Sequence, residues 1–480
     1  MNEDLNRKAV KGLSWSMLET ISKHIVKFFV SILLARLLMP SDFGVLGIIM
    51  IFIYLSDIIV SSGFGKAFIQ RKDVSSADAN TVFYINFLIS LCIYLILYIS
   101  APYVGLFFHN ENIPSLIRVL SIGVIISSFN IIQNAIIERN LNYRKRAVMT
   151  VLSSVLSGIV GISCAYFGLG VWSLVYQQLS QRLILCIFLY TTSSWHPSFD
   201  FSKHAAKEMF SFGSWLLVSN LIFAAFKNLY KAAFGKCYSI SDLGYYERAY
   251  QYETMVSETF TWMFASVSYS VFTKIQDDKD AVKRTTMNFV KYSSVFVYPI
   301  LLCMLISAKP LIVFLVTEKW LPAVFYMQLL CIVGLLSPLT NFMSQVLQAT
   351  GNSKLYFVFI SLICAFRSVN VVTLLRFGIS AIIIGDFFCI LLSIIIVSFL
   401  ARKDLGFHYI SVVRVQMKIV PMLFIASMTC YIVLSLLSTA SSFVQLLFSV
   451  ASFFTVYLLL MLKYQHKELS MVMKMIGKQK

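Results

Sequence analysis

The chain has 480 residues, 58% of them hydrophobic and only 13% charged, with 40 Lys and Arg against 22 Asp and Glu. That little charge cannot cover a water-soluble globule of this length, so a cytosolic enzyme, a secreted disulfide scaffold and a disordered chain are all excluded. The excess of +18 sits mostly in short segments between apolar runs of about twenty residues, which marks an all-α polytopic membrane protein and no nucleic-acid binder.

In chain order, about 14 transmembrane helices are expected, at 13–36, 43–62, 81–100, 115–137, 147–166, 170–190, 211–234, 254–273, 292–308, 323–347, 355–375, 379–400, 419–438 and 441–462. Glu19, Lys23, His24 and Lys27 interrupt the first run, which no cleavable signal peptide tolerates. Pro299, Pro338 and Pro421 fall inside spans, where kinks are expected. With the N-terminus inside, the inner segments hold 27 Lys and Arg and the outer ones six, so both termini are expected in the cytoplasm. The nine cysteines form no CxxC pair and read as small apolar packing residues.

An internal repeat follows from sliding the chain by 200 positions. Ser14-Trp15 then meets Ser214-Trp215, Lys27 meets Lys227, Arg36 meets Lys236, and Ser41-Asp42-Phe43-Gly44 meets Ser241-Asp242-Leu243-Gly244. Tyr166-Phe167-Gly168 matches Arg376-Phe377-Gly378 at a slightly longer offset. Six spans separate the copies, so the halves share one orientation, as parallel repeats about a central cavity. This divides the chain into an N-lobe at 1–200, a C-lobe at 201–400, and two extra C-terminal helices with a tail at 401–480.

Catalytic motifs are missing. There is no HExxH, GxSxG or P-loop lysine, and the six histidines show no metal-ligand spacing. Asp278-Lys279-Asp280 imitates an acidic metal motif but lies among alternating charges and reads as a solvated loop. The chain is therefore expected not to be an enzyme and to need no cofactor beyond a coupling proton or sodium ion.

The informative residues are charges within the spans. Glu19, Lys23 and Lys27 recur every four residues and share one helical face; Asn220, Lys227 and Lys231 form a comparable face in the seventh span. Arg182 and Arg367 add cations elsewhere. Insertion scales put each such cation at about 3 kcal/mol if it faced lipid, so an interior aqueous lining is expected. Snorkelling and ion pairing, Glu19 with Lys23 or Arg367 with Asp386, are the alternatives. A net cationic cavity suits an anionic head group such as a diphosphate, which Lys23, Lys27, Lys227 and Arg367 would hold, with Lys231 and Arg182 as a secondary lining. Trp15, Trp215, Tyr230, Tyr252 and Trp262 would stack on sugar rings or simply form an interfacial belt. Glu19 or Asp57 would take up a coupling ion, or serve structure alone.

Several stretches carry a resemblance. They are Leu34 to Gly44, the Gly63 to Gln70 loop with Phe83-Tyr84-Ile85-Asn86, Gly168-Leu169-Gly170-Val171-Trp172 with Gln177-Gln178, Leu243 to Ala249, and Leu347-Gln348-Ala349-Thr350-Gly351-Asn352. In their order over about 400 residues they resemble the polysaccharide-transporter branch of the MOP flippase superfamily, in its Wzx-type, colanic-acid-exporter-like members. The resemblance implies two six-helix lobes with spans 1, 2, 7 and 8 lining the cavity. It also implies a bacterial inner-membrane flippase that moves a polyprenyl-diphosphate-linked oligosaccharide by alternating access, for capsule, O-antigen or exopolysaccharide assembly. Its partners would be the lipid-linked oligosaccharide, membrane lipids and polysaccharide polymerase machinery. An ion-coupled drug antiporter would show an acidic cavity, and a membrane-embedded polymerase a large external loop; neither feature is present.

Overall fold

The computed structural model describes residues 2–61, 65, 68–69, 74–140, 142–193, 195–202, 206, 217, 221, 224–226, 228–275, 278–349, 353–400, 414 and 416–464. These are almost entirely helical. Nine helices among them are long and apolar enough to cross a membrane, and Val420–Leu436 is a shorter apolar helix. The expected spans 13–36, 170–190 and 254–273 are helical too but more polar, and half of 211–234 lies outside the described residues. Large apolar side chains such as Ile99, Leu106, Phe357, Phe399 and Leu436 point outward, a surface that suits acyl chains and not water.

The chain divides into two compact units, Met1–Gly244 and Tyr245–Lys480. The first holds α1 (Asn2–Leu37), α2 (Pro40–Val60), α3 (Ser76–Phe108), α4 (Ile113–Leu120), α5 (Ile122–Arg139), α6 (Tyr143–Tyr166) and α7 (Val171–Thr192). It also holds helical residues 228–237 and the first turn of α8 (Ile240–Ile275). Local chemistry sets several starts. Ser75 and Asp78 cap α3 reciprocally, each side chain bonding the other's backbone N–H, at 3.2 and 3.0 Å. Along α6, Ser153, Ser154, Ser157, Gly158 and Gly161 make a buried small-residue face. Val30 of α1 fills the place beside Gly158, and Gln177 of α7 that beside Gly161, so both helices approach closely. A second core gathers Phe83, Phe129, Ile132 and Trp195.

The repeat has structural counterparts at matching positions. Helix α1 ends at Leu37 and residues 228–237 end at 237; α2 starts at Pro40 and α8 at Ile240. Asp42 accepts a hydrogen bond from the Met39 N–H at 2.9 Å, and Asp242 from the Ser239 hydroxyl at 2.6 Å. The glycines of the two matched motifs meet: Gly44 lies against the Ile240 carbonyl and Gly244 against the Pro40 carbonyl, with no room for a Cβ at either. Gly168 and Gly378 close the matching helix turns with φ of 78° and 98°, a region natural only to glycine.

The second unit contains most of α8, then α9 (Lys279–Ile306), α10 (Ala308–Val316), α11 (Pro322–Gly334), α12 (Ser337–Ala349), α13 (Ser353–Leu374), α14 (Ile379–Leu400), α15 (Val420–Leu436) and α16 (Ser442–Tyr464). Phe272, Phe289, Phe342, Phe359 and Ile394 form its apolar core. The last helix, α16, makes polar contacts with the rest of the unit: Tyr457 donates to the Val295 carbonyl at 3.0 Å, and Ser307 meets Ser449 at 3.1 Å. The proline expectations are partly corrected. Pro299 lies inside α9, but Pro421 opens α15 and Pro338 opens α12 after a break at 335–336. A first-turn proline removes no helical hydrogen bond, so Pro421 starts its helix instead of kinking it, whereas the break before Pro338 interrupts the apolar span Pro322–Gln348, as expected there.

Candidate functional site

Helix α1 carries the first expected cations. Lys23 and Lys27 share a face with Leu34 and Leu38, by spacings of four and seven residues. At the Leu34 and Leu38 level that face is packed within the unit, at 2% and 3% exposure; at the lysine level it is open, and both lysines are exposed. Lys23 has no ionic or hydrogen-bonding partner among the described residues. A side chain four residues away would ordinarily supply one, since Glu19 is its natural helical neighbour.

Glu19 is instead turned onto α6. It is 9% exposed and receives Arg146 Nε at 3.1 and 3.2 Å, with the Thr150 hydroxyl at 3.2 Å. Arg146 also bonds Glu138, so one guanidinium bridges two carboxylates. The pairing expected as an alternative, Glu19 with Lys23, is not the one formed, because α6 presents a better fork of donors than a neighbouring ammonium. Trp15, expected near a sugar, lies under the Arg144 guanidinium at 5.4 Å.

Arg182 and Asp57 come together. Nη1 and Nη2 bond the two carboxylate oxygens at 2.8 and 2.7 Å, and Nη1 also reaches the Ser127 hydroxyl at 2.7 Å and the Gly123 carbonyl at 3.1 Å. In the second unit Arg367 grips Asp386 in the same bidentate way, at 2.6 and 2.9 Å. Arg182 with Asp57 and Arg367 with Asp386 are therefore ion pairs, the second being the pairing weighed above as the alternative, and Glu19 and Asp57 each hold an arginine in the structural role also weighed there. Bidentate pairing wins because an unmatched charge at this depth costs more than the geometry it must adopt.

Lys231 is half-buried. Trp215, Asn220 and Lys227 lie outside the described residues, as does the Trp262 side chain. Tyr230 and Tyr252 are buried at 9% and 3% exposure, which leaves no ring face for a sugar. Asp278 caps α9, accepting from the N–H groups of Asp280 and Ala281 at 3.0 and 2.9 Å. The acidic motif is therefore a helix start. No group of three or more His, Cys, Asp and Glu among the described residues could hold a metal ion.

Two residues went unnoticed in the sequence. Arg248, which falls between the expected spans 211–234 and 254–273, is 1% exposed inside α8, with Trp320 at 5.2 Å and Tyr252 at 5.7 Å from its guanidinium. Glu253 is 6% exposed on the same helix. The signal was present: Leu243, Tyr246, Ala249, Tyr252 or Glu253, and Ser257 recur every three or four residues, which describes a buried helical stripe. Hydropathy averaging hid it beneath four neighbouring polar residues.

The Glu19 network yields an ordering. Arg146→Gln leaves two carboxylates without their cation and is expected to cost about 3 kcal/mol. Glu19→Gln leaves Arg146 bound to Glu138 and is expected to cost about 1 kcal/mol. Thermal unfolding of the purified protein in detergent checks this, and equal losses would contradict the bridging role.

Comparison with known proteins places these features. A family described as polysaccharide biosynthesis protein matches residues 33–325. The teichuronic acid biosynthesis protein TuaB of Bacillus subtilis (strain 168) is 25% identical over 356 residues, 74% of each chain. The lipopolysaccharide biosynthesis protein WzxC of Escherichia coli (strain K12) is 23% identical over 361 residues, 74% of this chain and 73% of that one. Among solved structures, the lipid II flippase MurJ in an inward closed conformation superposes with a TM-score of 0.74 at 14% identity, over 95% of this chain and 99% of that one. A multidrug resistance MATE family transporter of the MOP superfamily, inward-facing, gives 0.63 at 16% identity, over 80% and 94%. At such identities these two likenesses establish a shared helical fold.

Proposed function

Because the chain belongs to the family of polysaccharide biosynthesis proteins, we propose that it is a flippase for a polyprenyl-diphosphate-linked oligosaccharide. It acts in the bacterial inner membrane with both termini cytoplasmic, by alternating access and without a covalent step. The observation that carries this reading is the open, doubly cationic face of α1. Lys23 and Lys27 are both exposed there. Two ammonium groups one helical turn apart match the several anionic oxygens of a diphosphate, and their flexible stems let the contact form and release. Lys227, matched to Lys27 by the repeat, is proposed as a third ligand. A diphosphate lipid suits this arrangement better than a cationic drug, which these lysines would repel.

Purified protein in liposomes loaded with a polyprenyl-diphosphate oligosaccharide tests the reading. The wild type is expected to expose the glycan on the opposite leaflet faster than empty liposomes, measured by lectin accessibility. A charge-assisted contact contributes about 1.5–3 kcal/mol, so Lys23→Gln with Lys27→Gln is expected to slow this at least about tenfold. An unchanged rate would remove α1 from the mechanism.

A further inference from the structure

Three carboxylates among the described residues are buried: Glu19, Asp78 and Glu253. Glu19 has Arg146, and Asp78 accepts a backbone N–H at the start of α3. Glu253 differs. Its one hydrogen-bonding partner is the hydroxyl of Ser257, a turn further along α8. No lysine, arginine or histidine among the described residues pairs with it.

The carboxyl group rests against Gly334 at the end of α11, where any Cβ would strike its oxygen. The contact lies deep. Glu253 is thirteen residues from the start of α8 and Gly334 twelve from the start of α11, so at 1.5 Å per residue both are about 20 Å along their helices. Among the described residues, the titratable groups that interact with Glu253 are Tyr250 and Glu258 on α8 and Cys331 on α11. None of them is a cation. Arg367 acts on Tyr250 but is already bound to Asp386.

An isolated carboxylate in such surroundings is costly, whereas the neutral acid needs only one or two hydrogen bonds. We infer that Glu253 is a proton-binding site whose occupancy governs the seating of α8 on α11 and thereby couples transport to a proton gradient. The proton enters from water on one side, converts the carboxylate to the acid, and leaves to water on the other. Protonated, the group fits the notch at Gly334. Ionised, it draws water or a cation toward itself and loosens the helix pair. The coupling arm of this inference rests on the flippase reading; the proton-binding arm does not.

Infrared difference spectra of the full chain in liposomes, recorded between about pH 5 and 9, test the binding arm. A protonated-carboxyl band is expected in the wild type, absent from Glu253→Gln and retained in Glu258→Gln. Ser257→Ala keeps the acid but removes its hydroxyl partner, and is expected to move the midpoint of that band; this variant serves if Glu253→Gln does not fold. No wild-type band, a band that survives in Glu253→Gln, or an unmoved midpoint in Ser257→Ala would overturn the assignment. Displacement of the band by sodium at constant pH would also overturn it, in favour of a metal-cation site. Reversing an imposed pH gradient is then expected to change wild-type glycan-lipid flipping severalfold and to leave Glu253→Gln indifferent, with gradient-free exchange retained. Gradient-sensitive flipping by Glu253→Gln overturns the coupling. A wild type that shows the band but moves no glycan lipid refutes the flippase reading and leaves the proton site standing.

Discussion

Arg182→Met is expected to destabilise the first unit by about 3 kcal/mol, and adding Asp57→Asn is expected to recover most of that loss. Methionine keeps the apolar stem of Arg182 but abandons four hydrogen bonds: two to Asp57, one to Ser127 and one to the Gly123 carbonyl. The larger penalty comes from Asp57, left charged without its counter-ion. Its side chain is 33% exposed against 16% for Arg182, so water screens part of that penalty and the value stays near the lower end for buried pairs. Thermal unfolding in detergent, followed by intrinsic tryptophan fluorescence, reads the effect. A double variant no more stable than Arg182→Met alone would mean that the packing of the arginine matters and the charge pair does not.

Gly44→Ala and Gly244→Ala are expected to cost about 2 kcal/mol each, and together clearly less than the sum. At either position the new methyl meets a backbone carbonyl, of Ile240 or of Pro40. A side-chain tip could swing aside; a helical carbonyl moves only with its helix. Either substitution therefore pushes apart the same two helix starts, and the second finds the gap already opened. Chemical denaturation of the single and double variants checks the sub-additivity. Full additivity would show that the two glycines act independently and that their reciprocal contact is not energetically shared.

The cationic face of α1 was legible because it is local. Lys23 and Lys27 are four residues apart, and helical periodicity alone places them together. The Arg367–Asp386 pair was open to the same kind of reasoning, since the partners lie 19 residues apart on helices joined by a tight turn. Glu19 was misjudged in the opposite way. Its obvious neighbour Lys23 lost to Arg146, 127 positions along the chain, which no helical wheel contains. Arg182 and Asp57 are 125 positions apart and each looked like a free charge for the same reason. Glu253 stayed hidden because hydropathy averaging read the first half of α8 as loop.

Membrane class and helical content follow from the sequence alone. Each is a sum over short windows, chiefly of apolar length against bilayer thickness. Tertiary structure decided which embedded charges pair with one another. That outcome depends on side chains more than a hundred residues apart reaching hydrogen-bonding distance, and in a low-dielectric interior the electrostatic balance changes sign with the presence or absence of one such partner.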